Sequence, residues 1–332
     1  MNRGQAGAFH FKRATRIVGA GVVLVAAAGA APRADAARVP VTSGDSIASA
    51  TLIPARAPLP PKAGLWFINS LVGRSGKLRA FFVSPSHPSI GVDALQELFG
   101  DSALDRPGIY TVHDSAVSQP MSFISLVPFA AKQKGRIGAY WLGTWPHERH
   151  ASRDSMYADP DGFIEVTPEN EDTWVSEHFR LRDFLTHDQE DVWPKYLALN
   201  AKLVDKLELV IADLNEHGVR VDHLTIMSGF RTPEYNKRGV GARGGRARDS
   251  RHQYGDAADV FVDNDESGRM GDLNRDGRVN MRDARIIRDA VDRVEAAHPD
   301  LVGGVGLYHA TRQHGPFVHI DTRGERVRWG TR

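Results

Sequence analysis

The sequence predicts an α+β fold: a small β-rich N-terminal domain, then a C-terminal domain in which helices flank a small antiparallel sheet. Three observations predict it. The runs LWFINSLV, GIYTVHD, SFISLVPF and IGAYWLGTWP, rich in β-branched and aromatic residues and bounded by Gly, Pro and Ser, fall within residues 64–147. Leu199, Leu203, Val204, Leu207, Val210, Ile211 and Leu214 recur at helical spacing, and Gly218 is a natural stop. The apolar runs HLTIM (223–227), AADVFVD (257–263) and GPFVHIDTRG (315–324) then read as strands.

Residues 1–36 read as an export signal. Lys12, Arg13 and Arg16 precede the apolar run IVGAGVVLVAAAGAA (17–31), and Ala34-Asp35-Ala36 offers a small-residue cleavage site. A run of 15 residues is short for a membrane span, so no stable membrane anchor is expected after cleavage. The mature protein is expected to be exported and periplasmic. Residues 37–63, rich in Ala, Pro and Ser, read as a linker. DALQELFG (93–100) reads as one short helix within the β-rich domain of 64–147. Residues 148–175, acidic and broken by Pro160 and Pro168, read as a connector, and the second domain covers 176–332.

With 332 residues and 41% hydrophobic content, the chain can build one large core or two ordinary ones. A formal charge of +1 argues against a dedicated nucleic-acid partner. The absence of cysteine excludes disulfides, thiolate metal sites and a lipoprotein anchor. Any zinc must therefore be held by His, Asp or Glu, which favours a catalytic over a structural ion.

SRHQYGDAADV (250–260) is where such chemistry is expected. A histidine in the loop before a strand, with Gly255 permitting a tight turn, can aim its ring back at a carboxylate on that strand. His252 and Asp259 are that pair, and His319, inside the strand-like FVHID, is the best third ligand. Two histidines and a carboxylate form a zinc site with one position free for water, the arrangement that serves amide hydrolysis. Asp321 is a candidate to orient a ligand from behind.

Ser250-x-His252-x-x-Gly255-x-Ala257-x-Asp259 resembles the S-x-H-x-x-G-x-A-x-D signature of the M15 zinc peptidases, D-alanyl-D-alanine carboxypeptidases and murein endopeptidases. Ser228-Gly229-Phe230-Arg231 resembles that family's S-G-(Y/F)-R segment. Gly303-Gly304-Val305-Gly306, Phe317-Val318-His319-Ile320-Asp321 and Arg328-Trp329 follow in an order resembling the periplasmic murein endopeptidase branch. The resemblance covers about residues 176–332. It implies that His252, Asp259 and His319 bind Zn2+, that Arg231 holds a substrate carboxylate, and that the substrates are peptidoglycan peptides. In the family a histidine two residues, or an acid three residues, before the last ligand carries the proton. Those positions are Phe317 and Pro316 here, so His314, with His309 next, is the expected proton carrier. The alternative is a wall-binding module that has lost catalysis.

A second metal is expected at GDLNRDGRVNMRD (271–283). Asp272, Asn274, Asp276, Asn280 and Asp283, with the Arg278 carbonyl, match the ligand positions of an EF-hand loop, resembling dockerin-type loops in its final Asp. The expectation is structural Ca2+ in an insertion over about 265–298. Arg243, Arg246, Arg248 and Arg251 form a basic, Gly-rich run, either a solvated loop or a lid that attracts anionic peptides.

Overall fold

The computed structural model describes residues 73–84, 90–112, 120–149, 157–241 and 245–330. The chain divides into units 1–49 and 50–332, and every described residue lies in the second. The expected signal, the linker, the LWFINSLV run and Arg243 lie outside the described residues. Among those described, no helix is long and apolar enough to cross a membrane.

Strands β1 (Ala80–Val83), β2 (Gly108–Val112) and β3 (Met121–Ser125) form a sheet ordered β1-β3-β2, with helices α1 (Ile90–Phe99) and α2 (Ser102–Asp105) between β1 and β2. Alternation along these strands serves two cores. Val83, Tyr110, Val112 and Phe123 join Leu95 and Ala103 in a small cluster, whereas Ala80, Ile109 and Ile124 enter the main core. The next elements are short: β4 (Arg136–Ile137), β5 (Tyr140–Trp141), α3 (Pro146–Arg149), and the antiparallel pair β6 (Ile164–Val166) and β7 (Lys195–Leu197).

The C-terminal part contains α4 (Ala201–Glu216), β8 (Leu224–Ser228), α5 (Pro233–Arg238), β9 (Ala257–Val262), α6 (Met281–Ala297), β10 (Gly304–Tyr308), β11 (Phe317–Asp321) and β12 (Val327–Trp329). The five strands run in the order β12-β10-β11-β9-β8, antiparallel except for β12, which lies parallel to β10. Helix α4 begins where the Asn200 side chain accepts the Lys202 amide at 2.9 Å, and buries Leu203, Val204, Leu207, Val210, Ile211 and Leu214. The helix and three strands therefore lie where the hydrophobic pattern placed them; β10 and β12 were not anticipated.

Two observations bear on the organisation. In the described part of 64–147, Leu142 and Trp145 are fully buried in the main core, with α4 and the five-stranded sheet. The Trp145 indole N–H donates to the Gln253 carbonyl at 2.9 Å, so this segment buttresses the loop that carries His252. The stretch expected as an insertion over 265–298 includes α6, whose Ala284, Ile287, Ala290 and Val291 are buried in that same core. A helix that supplies core side chains is integral to the domain. It is fastened to α4 by a buried ion pair, Lys206 Nζ to Glu295 Oε1 at 2.8 Å, and the same ammonium donates to the Asp321 carbonyl at 2.7 Å.

Candidate metal centre

Strand register lays a row of side chains across all five strands. Ser228 pairs with Asp259, Asp259 with His319, His319 with Gly306, and Gly306 with Trp329. Paired residues in neighbouring strands share a face, so Asp259 and His319 project side by side. His252 arrives from the loop before β9. Gly255 closes that loop at φ +70°, in the left-handed region, and a Cβ there would collide with the Ala198 carbonyl.

The three donor atoms converge. His252 Nε2 lies 3.2 Å from Asp259 Oδ1 and 3.1 Å from His319 Nδ1, which is 3.0 Å from Asp259 Oδ1. Ligand atoms around a tetrahedral zinc stand about 3.3 Å apart, given zinc–ligand bonds of about 2.0–2.2 Å. Among the described residues this is the one group of three metal-ligating side chains that comes together, and all three are buried.

The hydrogen bonds behind the donors fix which atoms are free. His252 Nδ1–H donates to the Gly229 carbonyl at 2.6 Å, leaving the Nε2 lone pair pointing into the group. His319 Nε2–H donates to Asp321 Oδ2 at 3.1 Å, leaving Nδ1. Asp321, fully buried, is held in turn by the Gly304 amide at 2.6 Å and by an ion pair with Arg323. This is the supporting role considered for Asp321 from the sequence, and carboxylates or carbonyls behind metal-bound histidines have that effect. The residues present fit a zinc ion.

Two of the three donors are held in the form that ligates a metal, and the third favours its proton, which an ion would displace. Burial pushes the His252 pKa down to about 4, with Asp259 opposing, so this ring stays neutral, the form that ligates a metal. Burial alone would raise the pKa of Asp259. The contacts with His252 and His319 and the Arg231 guanidinium outweigh it and hold the carboxyl well below the usual range. His319 is raised: burial lowers it, but bonds to Asp259 and Asp321 prevail.

Arg231 stands beside these donors. Its Nε–H donates to Ser228 Oγ at 2.8 Å and its Nη2 pairs with Asp259. Arg231, His309, His314 and the three donor residues all line one cleft of about 620 Å³. His314 Nδ1–H donates to the Gly315 carbonyl at 2.8 Å, and the ring meets Phe317 edge-on at 5.0 Å. Phe317 is buried on the donor face of β11, two residues before His319, with no proton to exchange.

The basic run is not uniformly free. Arg251 is buried in an ion pair with Asp256, and Arg246 lies over Tyr235 at 4.2 Å and donates to its carbonyl at 2.7 Å. Of the described arginines in the run, Arg248 alone is exposed at the cleft.

The expected calcium is not supported. Asp272, Asp276 and Asp283 do not form a converging group, and their oxygens are engaged by the loop's own donors. Asp272 accepts the Asp276 and Gly277 amides at 3.2 and 2.7 Å, and Asn274 accepts the Asp276 amide at 2.9 Å. Asp276 accepts the Arg278 amide at 3.0 Å and the Arg282 guanidinium at 3.1 Å. Asp283, fully buried, accepts the amides of Leu273, Asn274 and Asn280 at 2.9, 3.3 and 2.8 Å, while Asn280 caps α6. The Arg278 carbonyl accepts from Asn280 Nδ2 at 3.3 Å. In this structure the spacing that suggested an EF-hand serves a self-capped turn that starts a core helix.

Sequence reasoning passed over Tyr308 and Trp329 as members of this site. Trp329 lies over Gly306, where a Cβ would collide with the indole, and its ring meets His319 at 5.1 Å. The alternation in GVGLY, small residue and apolar residue by turns, is the signal that could have placed Tyr308 on the donor face.

A family model described as Peptidase M15 matches residues 182–284, which include Arg231, His252 and Asp259. His319 lies beyond the match and enters the site through strand pairing. No curated protein matches the chain.

Proposed function

We propose that the chain is a zinc metallopeptidase that hydrolyses peptide bonds in peptidoglycan stem peptides or cross-links and so remodels the cell wall. The observation that carries the reading is the convergence of His252 Nε2, Asp259 Oδ1 and His319 Nδ1, each ring fixed by a hydrogen bond from its other nitrogen. The M15 match over part of the chain supports it. These three residues would hold the ion; when bound, zinc polarises a carbonyl and makes water acidic enough to attack near neutral pH.

The chain's own groups supply the rest. Arg231 spends Nε on Ser228 and Nη2 on Asp259, which leaves Nη1 to meet a substrate carboxylate at the cleft. His314, with Nδ1–H on the Gly315 carbonyl, keeps Nε2 as the proton acceptor. It takes a proton from the attacking water and returns it to the departing amine. Export, read from residues 1–36, into a periplasm, expected from the absence of cysteine and the branch resembled, would bring the site to its substrate.

A wall-binding module without catalysis is the second reading, favoured by Phe317 and Pro316 at the family's proton-carrier positions. Incubating the purified chain with sacculi, with and without chelator, separates the two. New muropeptides that vanish with chelator and with His252→Ala are expected, and their masses tell carboxypeptidase from endopeptidase products. Retention on sacculi with no new product would refute the enzyme.

A further inference from the structure

Tyr308 lies one pleat from the donor row and on the same face. Gly306 pairs with His319 and Tyr308 with Phe317, and residues two apart on a strand point the same way. The Tyr308 ring stacks flat on Phe317, with centroids 4.5 Å apart and planes 3° apart. The Trp329 indole, lying over Gly306, donates its Nε1–H to the Tyr308 hydroxyl at 3.0 Å.

That hydrogen bond has a direction. A phenol oxygen accepts through its lone pairs and donates one proton. Here an indole, which can only donate, occupies the accepting side. No acceptor for the phenol proton is found among the described residues. The proton therefore points away from Trp329, on the wall of the cleft that Tyr308 shares with Arg231 and the three donors.

We infer that Tyr308 is a further catalytic residue, whose hydroxyl donates a hydrogen bond to the scissile carbonyl oxygen as that oxygen gains negative charge. The inference rests on the peptidase reading above. No proton is transferred in this contact: the O–H bond stays intact, and the hydrogen bond strengthens as charge builds on the acceptor. Such a donor works best when its direction is set beforehand, and the Phe317 stack and the Trp329 bond set it. Burial raises the phenol's pKa, with the Trp329 hydrogen bond opposing, which keeps it a donor at neutral pH. Phe317 thus gains a role: its ring is the platform that orients the hydroxyl.

Tyr308→Phe in the full, zinc-loaded chain tests this, because it keeps the stack and removes only the oxygen. Three quantities are measured: kcat and KM on a stem peptide, zinc affinity by chelator competition, and affinity for a phosphinate peptide that mimics the tetrahedral oxyanion. The expected result is a fall in kcat of about 10²–10³-fold, the usual effect of removing one oxyanion donor, with a matching loss of phosphinate affinity. KM and zinc affinity stay unchanged. Trp329→Phe, which frees the hydroxyl to rotate, should fall between the two. Full kcat in Tyr308→Phe, or a loss of kcat with phosphinate affinity intact, overturns the inference and leaves the peptidase reading standing. A wild-type chain that cleaves no peptide in the same assay removes that reading, and this inference with it.

Discussion

Replacing Asp321 by Asn should loosen zinc without moving the ligands' backbone. The carboxylate serves donors on several sides: His319 Nε2–H at 3.1 Å, the Gly304 amide at 2.6 Å, and the Arg323 guanidinium, whose Nε reaches both oxygens at 3.0 Å. An asparagine of the same shape offers one oxygen and one NH2, so at least one of these donors must face another donor. If that donor is His319, its ring loses the partner that fixes Nδ1 toward the ion. The Asp321 carbonyl stays in place on Lys206 Nζ, so the change acts through the side chain. Losing such a partner costs about 10–100-fold in metal affinity. That is about 1.4–2.8 kcal/mol at 1.4 kcal/mol per tenfold. Chelator competition measures it directly, and Trp329, 5.1 Å from the His319 ring, provides a fluorescence signal beside the ion. An Asp321→Asn chain that binds zinc as tightly as the wild type at the same pH would refute the reasoning.

Four further outcomes follow, three of them from buried groups. Asp321 and Asp259 are both held below the usual carboxylate range: burial would raise each, and the surrounding hydrogen bonds and positive charges outweigh it. Depressed carboxylates contribute stability above their unfolded pKa of about 3.9 and lose it as pH falls toward the folded values. The acid limb of a denaturation series should therefore decline below about pH 4, by about 1.4 kcal/mol per pH unit for each such group, and more gently in Asp321→Asn; identical limbs would contradict this. Glu295→Gln strands the Lys206 ammonium in the core, and chemical denaturation should show a loss of about 3–5 kcal/mol; a loss under about 1 kcal/mol would mean the pair is dispensable. Asp283→Ala deprives three backbone amides of their acceptor and should cost about 2–3 kcal/mol. Added calcium should leave the wild-type melting temperature unchanged, and a rise would reopen the loop as a metal site.

What could be read from the chain before folding was what depends on local spacing. His252, Gly255 and Asp259 announce themselves because a loop, a tight turn and a strand fit within eight residues. Helix α4 was legible because one apolar face repeats through its length. Tyr308 and Trp329 were not, because their place depends on which strand pairs with which, and in what register, a choice made by long-range packing. The calcium expectation finds no support here, for a reason visible in the loop: Asp and Asn at alternate positions serve equally well to hold a cation or to accept the amides of a tight turn. The burial of Trp145 in the main core was not legible either, because composition shifts near residue 147 while the core extends through that side chain.

The cross-strand row also bears on how the protein comes to have a site at all. His252 and His319 are 67 residues apart in the chain, and Asp259 and His319 are 60 apart. Between them lies α6, which the chain traverses before β10 and β11 return to β9. Contacts of such sequence separation form slowly, since loop closure is paid for before any pairing rewards it. A partly folded chain holds at most His252 and Asp259, two of the three donors. On the proposed reading, a zinc ion would find its full ligand set only where the sheet has closed, so that zinc occupancy would report complete folding and any peptide-cleaving power would wait on it.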